Sequence, residues 1–189
     1  VVASDFLCPT LAIVDPELAV SMPPDVTAST GLDAWSQGLE PYWSAFSNPL
    51  SDVFAEYVIE RVPECLPQAV KNPKDVGLRT EMARIALFSG LAINSAGTTA
   101  SHAISYALTS EYGIPHGHAV ALTLGEVMKF NARDGIAGKK IDRIVSMLKA
   151  ETVDGAAEKI GETMMACGLK TRLSELGVRK SDLGKIARA

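Results

Sequence analysis

From Asp25 onward the apolar residues of this sequence recur at the three-and-four spacing of a helix face, and that periodicity points to a helical bundle. Met82, Ile85, Ala86, Phe88, Leu91 and Ala92 form one such face, opened by Pro73-Lys74-Asp75. The pattern predicts further helices over 100–108, 116–131, 136–150, 154–167 and 180–189. Gly97-Thr98-Thr99 and Tyr112-Gly113-Ile114-Pro115 read as breaks, and Gly168 as the residue that ends the helix before it. Pro63, Pro67 and Asn72-Pro73 are expected to interrupt the segment upstream of residue 73. Extended structure is expected only at the start, over 1–7 and in Leu11-Ala12-Ile13-Val14. Asp15-Pro16 then opens a brief helical turn that stops at Met22-Pro23-Pro24. The expected architecture is mainly α, with one helical domain over 15–189 and a short strand lead-in over 1–14.

Charge and composition remove several classes of function. Lys and Arg number 18 against 22 Asp and Glu, a net charge of −4, which does not supply the basic stripe that nucleic acid demands. Hydrophobic residues at 47% with 21% charged are enough for a packed core and too apolar for a disordered segment. No run of eighteen apolar residues occurs, so no membrane partner is expected. Cys8, Cys65 and Cys167 form no CxxC pair, and read as small buried apolar residues in a reducing, cytoplasmic setting.

Chemistry-bearing side chains are few. The histidines are His102, His116 and His118. A helix, a tight turn and a second helix starting at His116 can return His116 to His102, whereas His118, two residues on, points elsewhere. Upstream, Asp33 and Gln37 are four residues apart on one helix face, and Glu40 lies seven beyond Asp33. An acid on an apolar helix needs a partner, and a metal is one. Carboxylate and imidazole donors from two helices suit iron(II), zinc or manganese, and the spacing alone does not choose among them.

Two stretches, in this order, carry a family resemblance. The first runs from Ala12-Ile13-Val14-Asp15-Pro16 through Pro23-Pro24 to Thr30-Gly31-Leu32-Asp33-Ala34 and Glu40. The second runs from Ala100-Ser101-His102-Ala103 to Gly113-Ile114-Pro115-His116-Gly117-His118-Ala119-Val120. Together they resemble the helical domain of the iron-containing (group III) alcohol dehydrogenases, whose bundle is like the C-terminal domain of dehydroquinate synthase. Within that family, residues 97–125 look most like reductases of phosphonate biosynthesis acting on phosphonoacetaldehyde.

The resemblance implies Fe²⁺ or Zn²⁺ held by one Asp and three His. Asp33, His102 and His116 match three of these positions, and Gln37 stands where the remaining imidazole belongs. Tyr106 matches a position near the substrate, where a phenol can orient the substrate oxygen or relay a proton. His118 has no ligand counterpart. The implied activity is NAD(P)-linked interconversion of a small alcohol and aldehyde by a homodimer or higher homo-oligomer. No strand followed by GxGxxG occurs, and no Gly-Gly-Gly-Ser turn, so no cofactor-binding residue is assigned. NAD(P)H is expected to be held mainly by an N-terminal domain preceding this chain, with 1–14 as the crossover and the helical domain truncated at its C-terminus. The competing reading is a non-catalytic or metal-free helical module for oligomerisation or partner binding, with Met147, Met164 and Met165 at its interface.

Overall fold

The structure, a computed structural model, describes Leu7 and residues 9–187. A short 3-10 turn, Pro16–Ala19, precedes eight α-helices among the described residues: α1 (Pro24–Trp43), α2 (Pro49–Lys71), α3 (Val76–Ala96), α4 (Ala100–Tyr112), α5 (His116–Asn131), α6 (Ala137–Met147), α7 (Val153–Ala166) and α8 (Leu183–Ile186). The helical bundle expected from the periodicity is present, and α5 has the bounds that the spacing predicts.

Three expectations need correction. No strand forms among the described residues: Leu11-Ala12-Ile13-Val14 has no regular structure, with Leu11 74% and Ile13 81% exposed. A strand needs a neighbour to receive its backbone hydrogen bonds, and among the described residues no other strand is present to pair with it. Residues 1–6 lie outside the described residues. Pro63 and Pro67 do not interrupt a helix either; both sit inside α2. Each proline costs a helix about 3 kcal/mol. Burial of Val58, Ile59, Val62, Cys65, Leu66 and Ala69 on the same helix offsets this. Pro63 has no N–H for the carbonyl of Ile59, and the indole Nε1–H of Trp35 on α1 donates to that oxygen instead, at 3.3 Å. The last expected helix, over 180–189, is a 3-10 turn at Lys180–Asp182 followed by the single turn of α8. Asp182 accepts the backbone N–H of Arg179 at 3.3 Å, a capping contact that competes with regular helix.

Helix α1 is the axis of the bundle and packs against α2, α3 and α5. Its Leu32, Trp35 and Leu39 are fully buried together with Val58, Ile59 and Leu66 of α2 and Leu124 of α5. Met147 and Met164 belong to this core and Met165 is exposed, so two of the three methionines are packing residues. Cys65 and Cys167 are buried as well, and burial pushes both thiols up to about 11, which keeps them protonated and unreactive.

A smaller core of Ala107, Leu108, Ile114, Ala119, Val178 and Ile186 clamps the α4–α5 corner. Gly113 ends α4 in the left-handed region (φ 67°), which reverses the chain sharply. Gly117 lets α5 lie directly on α1: a Cβ there would stand 2.0 Å from the Ser29 carbonyl oxygen and 2.8 Å from Asp33 Cβ. That contact sets the start of α5 against the Asp33 turn of α1.

Candidate metal centre

Helices α1, α4 and α5 each bring one side chain to a common point. Asp33 comes from α1, His102 from the first turn of α4, and His116 is the first residue of α5. One donor atom from each lies within 4.8 Å of the others. His102 Nε2 is 3.5 Å and His116 Nε2 3.6 Å from the same carboxylate oxygen, Asp33 Oδ1. Both distances are too long for good hydrogen bonds. The two imidazole rings meet edge to face, with centroids 5.4 Å apart.

The remaining nitrogen of each imidazole is already engaged. His102 Nδ1–H donates to Glu40 Oε2. Ser105 Oγ donates to the His102 carbonyl at 2.6 Å, which leaves its lone pairs for His116 Nδ1–H at 3.2 Å. Protons on both Nδ1 atoms leave both Nε2 atoms bare and turned toward Asp33 Oδ1. Asp33 Oδ1 and His102 Nε2 are accordingly two of the four buried side-chain polar atoms without a hydrogen-bond partner among the described residues. Three such acceptors converging on one point form a site that a cation would fit, and two imidazoles with a carboxylate are a donor set suited to a divalent transition metal.

In the cation-free protein a proton takes that place. Burial works against the charged imidazolium, but the nearby Asp33 and Glu40 carboxylates outweigh it and raise His102 to about 9.

Glu40 is the site residue whose role the one-dimensional pattern left unstated. It is fully buried on α1. Besides His102, it receives the Thr99 hydroxyl at 2.6 Å and the Ser101 backbone N–H at 2.9 Å. Trp43 Nε1 donates to Thr99 Oγ1 at 3.0 Å and closes the network. The signal was its position seven residues after Asp33, two helical turns along one face, inside the apolar run Leu39-Glu40-Pro41-Tyr42-Trp43.

Gln37 Nε2 donates to Asp33 Oδ2 at 2.8 Å, and its Oε1 faces the Ser89 hydroxyl at 3.2 Å. Tyr106 is 59% exposed, with its ring stacked 6.0 Å from that of His116. Tyr106 and His116 line a cavity of about 480 Å³ with Ala103, Ala107 and Glu111. His118 is buried and points away, with Nε2 2.7 Å from the Lys170 carbonyl oxygen, so it ties α5 to the following segment. Ahead of α1, the Met22 carbonyl is tied to the bundle by the buried guanidinium of Arg79, which also donates to the Pro73 carbonyl and to Thr27 Oγ1.

Comparison with known proteins identifies the family. Residues 27–189 match the family described as Fe-containing alcohol dehydrogenase, C-terminal. Alcohol dehydrogenase 4 of Schizosaccharomyces pombe is 37% identical over 176 residues, which is 92% of this chain and 42% of that protein. A 1-propanol dehydrogenase of Citrobacter freundii is 39% identical over 137 residues, 72% of this chain and 37% of that protein. This chain therefore spans less than half the length of these relatives. Among solved structures, the sulfoacetaldehyde reductase of Bifidobacterium kashiwanohense in complex with NAD⁺ superposes with a TM-score of 0.91 at 34% identity. That match covers 99% of this chain and 49% of the reductase. With a matching family profile over most of its length and the same fold in its solved relatives, the chain belongs to the Fe-containing alcohol dehydrogenase family.

Proposed function

We propose that this chain is the metal-holding part of an NAD(P)-linked dehydrogenase that interconverts a small aldehyde and its alcohol. The observation that carries the proposal is the convergence of Asp33 Oδ1, His102 Nε2 and His116 Nε2 on one point, with Asp33 Oδ1 and His102 Nε2 buried and free of any hydrogen-bond partner among the described residues. A divalent cation held there, Fe²⁺ or Zn²⁺, supplies Lewis acidity toward a carbonyl or alkoxide oxygen.

The chain's own residues prepare the place. Asp33 contributes the negative charge that offsets the cation. Glu40 and Ser105 orient the two imidazoles. The His116 side chain is 39% exposed, which opens the site toward the cavity it shares with Tyr106. From that wall the Tyr106 phenol orients the substrate oxygen or carries its proton. NAD(P)H is held mainly by a preceding dinucleotide-binding domain, with residues 1–14 as the crossover. The exposure of Leu11, Ile13 and Leu18 supports a partner surface on that side.

The proposed substrate is phosphonoacetaldehyde or a similar two-carbon aldehyde bearing an oxyanion. Support comes from the resemblance over residues 97–125 and from the likeness to a sulfoacetaldehyde reductase. The test is NADH and NADPH oxidation by the full-length protein with phosphonoacetaldehyde, sulfoacetaldehyde and propanal, before and after chelation. Expected are chelator-sensitive turnover, preference for the anionic aldehydes, and its loss in His116→Ala. Turnover unaffected by both chelation and His116→Ala would remove the metal from the reaction. No turnover with any aldehyde would favour the non-catalytic module.

A further inference from the structure

Resting on the reading of Asp33, His102 and His116 as a cation site, we infer that Gln37 is a positioning residue for Asp33 and not a ligand, so that the protein holds the cation with three donor atoms. The first observation is which oxygen Gln37 engages. Its Nε2 donates to Asp33 Oδ2 at 2.8 Å, whereas both imidazoles face Oδ1. Gln37 thus sits on the carboxylate oxygen turned away from the convergence point, and Oδ1 is left as the free one.

Chemistry determines which way the amide points. A carboxylate accepts hydrogen bonds and an amide nitrogen donates them, so Nε2 must face Asp33. The reversed amide would set Oε1 against Oδ2, two acceptors with no proton between them. An amide NH₂ has no lone pair to give a metal. The atom that does, Oε1, lies on the Ser89 side, where the buried Ser89 hydroxyl stands 3.2 Å away.

The helix builds this brace in. Residues four apart on α1 face one another, so Gln37 reaches Asp33 without any adjustment of the backbone. Imidazole at this position, as the family resemblance implies for relatives, would add a donor atom. Glutamine spends its side chain on orienting the carboxylate, as outer partners of metal ligands do.

A crystal structure of the full-length protein with Zn²⁺ tests this directly. Expected is Zn²⁺ at about 2.0–2.2 Å from Asp33 Oδ1 and from the Nε2 atoms of His102 and His116. The Gln37 amide should lie outside bonding distance and still on Oδ2. A Gln37 atom at bonding distance would overturn the inference. A companion measurement is Zn²⁺ affinity of Gln37→Met, which keeps the shape and loses the donor. Affinity should fall roughly 10–100-fold, with cation-free circular dichroism showing that the variant is still the folded helical protein. Unchanged affinity would overturn the positioning role. If instead wild type and His116→Ala bind Zn²⁺ equally, the cation site itself fails and this inference with it. That outcome is distinct from a site that binds Zn²⁺ with Gln37 as a ligand.

Discussion

Two carboxylates reach one imidazole at His102: Glu40 holds Nδ1–H, and Asp33 faces Nε2. Their combined pull raises the group from 6.5 to about 9 in the cation-free protein, against the effect of burial. Because the folded value lies above the unfolded one, the proton stabilises the fold fully below about 6.5, and this contribution is lost as pH rises through about 9. Cation-free protein should therefore melt at progressively lower temperature from pH 6.5 to 9, as followed by circular dichroism, and His102→Gln should flatten that slope. Zn²⁺ binding should run the other way, tightening over the same interval because the metal must displace the proton. A pH-independent melting temperature in the wild type would contradict the raised value. At this scale Asp33, His102 and His116 were legible as types at plausible spacing, whereas the role of Glu40 was not. An acid in a helix reads alike whether it faces water or an imidazole sixty-two positions away, and only burial separates the two cases.

Between elements, Pro63 and Pro67 sit inside α2 without ending it. Read along the chain, Pro63 marks a break; in the bundle, the carbonyl it leaves free at Ile59 is taken by the Trp35 indole of α1. Trp35→Phe removes that donor from a buried oxygen and should destabilise the protein by about 1–3 kcal/mol. In a Pro63→Ala background the helix's own N–H can serve Ile59, and the cost of Trp35→Phe should shrink. Urea unfolding of the four proteins measures the coupling, and strictly additive effects would show that the indole contact carries no energy of its own. The α4–α5 reversal, by contrast, was readable in advance. Gly113 and Pro115 are turn residues for stated backbone reasons, and the helix does begin at His116. What could not be read there is why residue 117 is glycine, since the Ser29 carbonyl that a Cβ would strike belongs to another helix.

For the molecule as a whole, the candidate centre joins α1, α4 and α5, so a cation there links three helices that the chain connects only through turns and through α2 and α3. A ligand that binds the folded protein alone adds RT ln(1 + [L]/Kd), about 2.7 kcal/mol at one hundred times Kd. Saturating Zn²⁺ should accordingly raise the melting temperature of the wild type, chelation should reverse the gain, and His116→Ala should show neither effect. An equal rise in that variant would place the binding elsewhere. No helix among the described residues is long and apolar enough to cross a membrane.

What the sequence determined by itself is what depends on neighbours along the chain. Helical periodicity set the fold class, turn chemistry set the α4–α5 corner, and two ordered motifs pointed to the family. The tertiary structure alone decided what depends on neighbours across the bundle. It showed which carboxylate oxygen meets the imidazoles, that Glu40 and Ser105 engage their Nδ1 atoms, that Gln37 turns its nitrogen to Asp33, and that two prolines can sit inside a helix. The physical reason is the same in each case. Hydrogen bonding and desolvation act between atoms a few ångströms apart, and in this fold those atoms are often fifty or more residues distant in the chain.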